Sequence, residues 1–302
     1  MATLKTYMVE FLAALIFVGL SAVAYALAPA RTATTTPGAA PERIVSLAPH
    51  VTETLFALGL GGRVVGVTSF CDQPPAARDL PKVGGFKGKS LESIIALRPD
   101  LVIGTRDGNE EQLFQALDRL RIRTLAVQPS TVASAISSIR EIARAAGAEA
   151  AGETLAASLE ARLDRVREKT AGGHRPRVVF VYGRDPLVLA GPGTFADDLI
   201  RLAGGENIAA DARIPYPRFS LEAVVARAPE VIIEGSMGSE VDGGSRLFWS
   251  RLPSLPAVKS GRVELIDEDL IARPGPRIIQ GLEAVARAVH PELFPDALGE
   301  QP

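Results

Sequence analysis

The residues able to do chemistry are few in this 302-residue chain. His50, His174 and His290 lie too far apart to form a local ligand or triad motif. A single cysteine, Cys71, excludes an internal disulfide and every multi-cysteine metal site. The run GLGGRVVG at 59–66 imitates a dinucleotide loop, yet it follows a predicted helix and precedes a strand, the reverse of what phosphate binding at a helix N-terminus needs. No GxxxxGKS/T or HExxH occurs, and Ser236 lacks the glycine two residues earlier that a nucleophile elbow requires. Catalysis is therefore not expected, and no cofactor or metal site is expected either.

What the chain does have is a set of short loops rich in rings, guanidiniums and carboxylates. They carry Pro49-His50, Ser69-Phe70-Cys71-Asp72, Thr105-Arg106-Asp107, Tyr182-Gly183-Arg184-Asp185 and Ile214-Pro215-Tyr216-Pro217, with Asp269 and Arg273 further on. Aromatics are only 5% of the residues, so Phe70, Phe86, Tyr182 and Tyr216 on such loops point to binding a large, flat, partly polar ligand. His50 can touch such a ligand or its metal centre. His174, in a Gly/Arg loop, and His290, at a helix end, read as solvated.

Alternating strand and helix patterns position these loops. Strands are predicted at Ile44–Ala48, Arg63–Thr68, Leu101–Gly104 and Thr124–Val127, separated by helices near Val51–Leu60, Glu110–Leu120 and Thr131–Ala146. A second series has strands at Arg177–Tyr182, Val231–Glu234 and Val263–Ile266, with helices at Phe195–Ala203 and Pro276–Val289. The V/I-rich strands predict an α/β protein of two lobes, each with a parallel, helix-covered sheet, and ligands then bind beyond the carboxyl ends of the strands. Between the series, Leu155, Leu159, Leu163 and Val166 recur at helical spacing, so Glu149–Thr170 is predicted to be one long helix joining the lobes.

An internal repeat supports the two-lobe reading. SLESIIALRPDLVI at 90–103 returns as SLEAVVARAPEVII at 220–233. Each unit is a helix opened by a serine cap, with an acid in its first turn where the dipole favours negative charge, then a proline stop and a buried strand. Divisions follow at 43–148 for the N-terminal lobe, 149–171 for the connecting helix and 172–302 for the C-terminal lobe. Ahead of them, Lys5 precedes an apolar run from Phe11 to Ala28, so residues 1–28 read as a signal peptide or an uncleaved anchor, and 29–42 as a disordered linker. Export to the periplasm is the expectation. Net charge is −2 with 23% charged residues and no basic stripe, which argues against nucleic acid as a partner.

The chain resembles the cobalamin-binding proteins of the long-helix class of periplasmic binding proteins, whose relatives bind iron siderophores and haem. The resemblance runs from about Arg43 to Val289. It is carried by RIVSLAPHVTE (43–53), TSFCDQPP (68–75), GGFKGKSLE (84–92), RDGN (106–109), GGENI (204–208), IPYPRFSLE (214–222) and RPGPRI (273–278). It implies the substrate-binding subunit of an ABC importer, a monomer that delivers a small-molecule ligand to a membrane permease dimer. It also implies ligand contacts at His50, Phe70, Phe86, Thr105, Tyr182, Tyr216, Asp269 and Arg273, and docking to the permease through Glu92 and Glu222. Where similar cobalamin binders use tryptophan, this sequence has Phe86, Thr105 and Tyr216. An intact corrinoid, a smaller corrinoid precursor or another metal chelate, including an iron siderophore or haem, fits that pattern. A siderophore would call on Arg106, Arg184, Arg218 and Arg273.

Overall fold

Strand Ile44–Ser46 (β1) is buried at every residue because both faces of its sheet are covered. It lies at the centre of a parallel sheet of order β2–β1–β3–β4, with β2 at Val64–Val67, β3 at Leu101–Thr105 and β4 at Arg123–Val127. This computed structural model describes residues 40–85, 88–106, 110–236 and 243–295. Pairing Ile44 with Leu101 and Val45 with Val102 sets which side chains share a face. Ile44, Leu101 and Ile103 pack on one side with Val51 and Leu55 of α1 (Pro49–Ala57). Val45 and Val102 pack on the other with Ile94 of α2 (Leu91–Ala96) and Leu117 of α3 (Glu110–Arg119). Helix α1 begins two residues before the predicted Val51, because Pro49 fits the first helical position, where its missing N–H costs nothing.

After α4 (Val132–Ala146) and α5 (Glu149–Thr170) comes a second sheet of order β6–β5–β8–β9. Its strands are β5 (Arg177–Arg184), β6 (Leu187–Leu189), β7 (Glu206–Asn207, also paired to β5), β8 (Val231–Ser236) and β9 (Val263–Asp267). Read as β7–β5–β8–β9, the order repeats that of the first lobe. The antiparallel edge strand β6 departs from the all-parallel expectation. It is three residues long, too short for a periodicity to reveal it. Helices α6 (Phe195–Leu202), α7 (Leu221–Arg227), α8 (Gly243–Trp249), α9 (Pro256–Lys259), α10 (Glu268–Ala272) and α11 (Ile278–Val289) complete the lobe.

The repeat maps onto equivalent places. Ser90 accepts from the Ser93 amide at 3.0 Å, and Ser220 from the Ala223 amide at 3.2 Å, so α2 and α7 start alike. Ile94 and Val224 are both fully buried. The acid after each proline is structural: Asp100 accepts from the Glu42 and Arg43 amides at 2.9 and 3.0 Å, and Glu230 from the Arg177 amide at 3.0 Å. Arg43 and Arg177 answer by donating to carbonyls at the ends of α2 and α7, Leu97 and Ala228. Each helix thus runs back along its sheet, which places its first turn at the carboxyl ends of the strands.

Helix α5 joins the lobes as predicted, roughly 33 Å long at 1.5 Å per residue. It is not alone. Val132, Ala135, Ile136 and Ile139 of α4 sit in the core of the second lobe, whereas Ile142, Ala143 and Ala146 sit in that of the first. Arg140 of α4 pairs with Glu153 and Glu160 of α5, at 2.8 and 2.6 Å. Asp198 of α6 accepts from the Val132 amide at 2.8 Å. A helical pair therefore spans the molecule, and the chain from Ala40 onward forms one compact unit. No described helix is long and apolar enough to cross a membrane; the apolar segment at 1–28 lies outside the described residues.

Candidate functional site

The loops beyond the strand ends converge where α1 meets the segment between α10 and α11. Arg277 grips Glu53 of α1 with two hydrogen bonds, 2.9 and 2.8 Å. Arg273 bridges Asp72 at 2.5 Å and Asp269 at 2.8 Å, with Glu53 at 3.6 Å. Glu53 and Asp72 belong to the first lobe and the other three to the second, so this cluster clasps the lobes. Asp72 is pushed up by partial burial, but the hydrogen bond and charge of Arg273 outweigh that and hold its carboxyl below the usual value. Asp269 goes the other way: burial and the charges of Asp72 and Asp267 raise it against the pull of Arg273.

His50 stands beside the clasp. It is 6% exposed, its Nε2 has no hydrogen-bond partner, and burial drives its imidazole down to about 4, so it is neutral at ordinary pH. Gly275 packs closely on it: a Cβ there would come within 3.1 Å of the His50 Cβ, a tight contact that glycine avoids. His50, expected as a ligand contact, is covered at the junction of the lobes. Asp269 and Arg273 likewise spend their charge on the clasp rather than facing the gap unpaired. His290, expected to be solvated, is 4% exposed and packs against Gly204, with Nδ1 3.2 Å from Glu292. His174 is exposed and lies 3.2 Å from Glu230.

The open aromatic surface belongs to the second lobe. Phe180 packs on Tyr182 at 4.9 Å between centroids, and Tyr182 meets Tyr216 edge-on at 5.3 Å. Tyr182 and Tyr216 are 41% and 57% exposed. Burial, with a smaller push from neighbouring Tyr216, raises the Tyr182 phenol well above its ordinary range, against the opposing pull of its hydrogen bond with Thr194. Below it lies a recess of about 20 Å³ lined by Phe180, Tyr182, Gly235, Glu268 and Ile271, room for a single water. From the first lobe Phe70, 55% exposed, lies two residues before Asp72, and Thr105 is half-buried at the end of β3. Phe86 lies outside the described residues. A recess of about 550 Å³ lined by Arg167, Arg175 and Arg201 is elsewhere, at the C-terminal ends of α5 and α6, away from these loops. Its arginines are tied to Asp164, Asp198 and the Gly205 carbonyl, so it is not the candidate site.

Sequence reasoning missed the roles of Glu53, Arg277 and Glu234. Glu53 was readable as a lone acid in the apolar helix HVTETLF. Glu234, in the middle of an apolar strand, is 5% exposed; it accepts from the Trp249 indole at 2.7 Å and lies 3.8 Å from Arg184. Glu92 and Glu222 are exposed, one at each equivalent helix start. Hydrogen bonds from their own amides and from Ser90 or Ser220 keep both carboxylates below their ordinary value, hence ionised at neutral pH.

Two α/β lobes on a long helix, with an exposed aromatic surface, have the architecture of a binding protein. The chain belongs to the periplasmic binding protein family, which it matches over residues 44–270. It is a substrate-binding transport protein, not an enzyme, and relatives similar to it are named for vitamin B12 and for haem. A vitamin B12-binding protein of Yersinia pestis (strain Pestoides F) is 33% identical over 245 residues, 81% of this chain and 85% of the relative. Among solved structures, the periplasmic vitamin B12 binding protein BtuF of Vibrio cholerae has TM-score 0.73 and 29% identity, covering 82% of this chain and 96% of its own. The periplasmic haem-binding protein RhuT from Roseiflexus sp. RS-1 has TM-score 0.73 and 33% identity, covering 83% and 99%.

Proposed function

We propose that the protein is the periplasmic substrate-binding subunit of an ABC importer, that it captures cobalamin or a related corrinoid between its lobes, and that it hands the ligand to a membrane permease. The observation that carries this reading is the Phe180–Tyr182–Tyr216 ring ladder, whose last two members are exposed beside the interlobe clasp. Tilted and edge-on rings at these spacings offer apolar area with a few fixed polar groups, as a corrin ring demands. The relatives named for vitamin B12 support it. Contacts are assigned to Phe70, Phe86, Thr105, Tyr182 and Tyr216, with Asp269 and Arg273 at the base. Glu92 and Glu222 are assigned to docking, because two ionised carboxylates at equivalent helix starts suit a symmetric partner carrying cations. The protein brings no cofactor of its own to this task and works as a monomer.

The likeness to a haem-binding protein at 33% identity favours a second reading, haem as ligand on the same rings. Isothermal calorimetry with cyanocobalamin, cobinamide, haemin and a ferric siderophore panel separates the two. Corrinoid binding is the expected result. Silence toward both corrinoids ends the first reading.

A further inference from the structure

We infer that the segment Arg213–Arg218 is a selectivity element, in which two unpaired guanidiniums take an anionic substituent on the edge of the ligand that lies on Tyr182 and Tyr216. The inference rests on the ligand site proposed above and goes further by assigning the ligand a charge and a direction.

The segment is rigid before any ligand arrives. The Gly191 amide donates to the Pro215 carbonyl at 2.8 Å, Leu189 to Pro217 at 3.0 Å, and Phe219 to Leu187 at 3.0 Å. Pro215 and Pro217 fix two of its backbone dihedrals. A side chain at Gly191 would place its Cβ within 2.4 Å of the Ile214 carbonyl oxygen, so the close approach holds only with glycine there. Groups carried on such a segment lose little entropy when they bind.

The alternation of the sheet decides which way Arg218 points. Arg218 pairs with Val188, while the flanking Leu187 and Leu189 enter the core with Val179 and Val181. Val188 and Arg218 therefore share the opposite face, the one that bears Phe180 and Tyr182. Tyr216, two residues before Arg218, reaches Tyr182 from the same side. Ile214 and Tyr216 are exposed at 56% and 57%, and Arg213 and Arg218 bracket them.

Charge supplies the second, independent observation. Most guanidiniums around the site are engaged: Arg184 with the Gly244 carbonyl and Glu234, Arg227 with Asp211, Arg273 and Arg277 in the clasp. Arg213 and Arg218 have no hydrogen bond or ion pair from their side chains among the described residues. At the base of the site three carboxylates, Glu53, Asp72 and Asp269, face two guanidiniums, so the base is net negative. A ligand with an anionic group is repelled by the base and drawn to the rim at Arg213 and Arg218, which sets its orientation. Carboxylate and phosphodiester oxygens both match the guanidinium fork. The propionates of haem present the first and the nucleotide tail of cobalamin the second, whereas cobinamide lacks the phosphate.

The test compares the full chain with Arg213→Ala/Arg218→Ala and with Arg218→Lys by calorimetry at low and high salt, using cyanocobalamin, cobinamide and haemin. Both arginines are exposed, so unchanged thermal midpoints are expected and serve as the folding control. The double variant is expected to lose roughly tenfold or more in affinity for an anionic ligand, with cobinamide unaffected and the loss shrinking in high salt; Arg218→Lys recovers part of it. A loss confined to cyanocobalamin identifies the phosphodiester, and one that includes haemin identifies carboxylates; either supports the inference. Equal loss for cobinamide, or no loss at all, overturns it. So does normal binding with impaired uptake in cells, which makes the segment a permease contact. A wild-type chain blind to all three compounds removes the underlying ligand reading, and this inference with it.

Discussion

Arg273 illustrates how a residue's neighbours decide what its charge is for. Its guanidinium is divided between Asp72 and Asp269, and those carboxyls are shifted in opposite directions. Asp72 lies below its ordinary value in the folded state, so its contribution is complete above the usual carboxylate pKa and is lost as pH falls through the depressed value. Asp269 lies above its ordinary value, so its ionisation opposes the fold, and stability is lost as pH rises through the raised value. Asp72→Asn is therefore expected to lower the thermal midpoint slightly at pH 7, and Asp269→Asn to leave it unchanged or raise it. Solvent screening keeps the first effect below about 1 kcal/mol, since Asp72 is 42% exposed. Glu53 is different, with its side chain 6% exposed beneath two guanidiniums. Neutralising it leaves Arg277 without its hydrogen-bonded carboxylate, while Arg273 keeps Asp72 and Asp269; Glu53→Gln is expected to cost about 1–3 kcal/mol in denaturant titration. A null result for Glu53 shows that the clasp does not stabilise the protein.

The elements that matter most for function are the short helices α2 and α7. Each has a serine cap, one buried aliphatic side chain and an exposed acid, and each is tied down by an Arg–acid pair at the base of its lobe. The acids after the prolines are structural, and Glu92 and Glu222 are the ones left to the outside. Replacing both by alanine is expected to abolish uptake in a transport assay while calorimetric affinity stays within twofold, because neither touches the proposed ligand surface. Uptake at the wild-type rate would falsify the docking assignment. Asp100→Ala and Glu230→Ala should instead lower stability by about 1–2 kcal/mol each, through backbone amides left without acceptors.

For the whole molecule, the paired helices α4 and α5 and the Glu53–Arg277 clasp act together. Both helices enter both cores or the seam between them, through Ile139 and Ile142 of α4 and through Leu155 of α5. Wide rotation of one lobe would have to break these contacts and the Glu53–Arg277 hydrogen bonds. Ligand binding is therefore expected to change the interlobe angle by only a few degrees, as read by small-angle scattering or by crystal structures with and without ligand. Closure by tens of degrees would show that the helical pair is a hinge.

Much of this architecture was legible in one dimension. The V/I-rich strands, the serine caps, the proline stops and the 130-residue echo of SLE are local signals, and local sterics and periodicity act before the chain folds. They were enough to predict two α/β lobes, the long helix and the two exposed acids at equivalent helix starts. The three-residue strand β6, the double role of α4 and the clasp were not legible. Glu53 and Arg277 are 224 positions apart, and nothing in the spacing of either announces the other. Burial, too, is a property of the assembled lobes: His50 reads as a loop ligand in sequence, and in the fold it is buried with Gly275 of the far lobe close against it. Periodicity therefore determined the elements and their order, because each depends on neighbours along the chain. Tertiary packing decided which charges remain free to meet a ligand, because a charge is neutralised by whatever stands beside it in space.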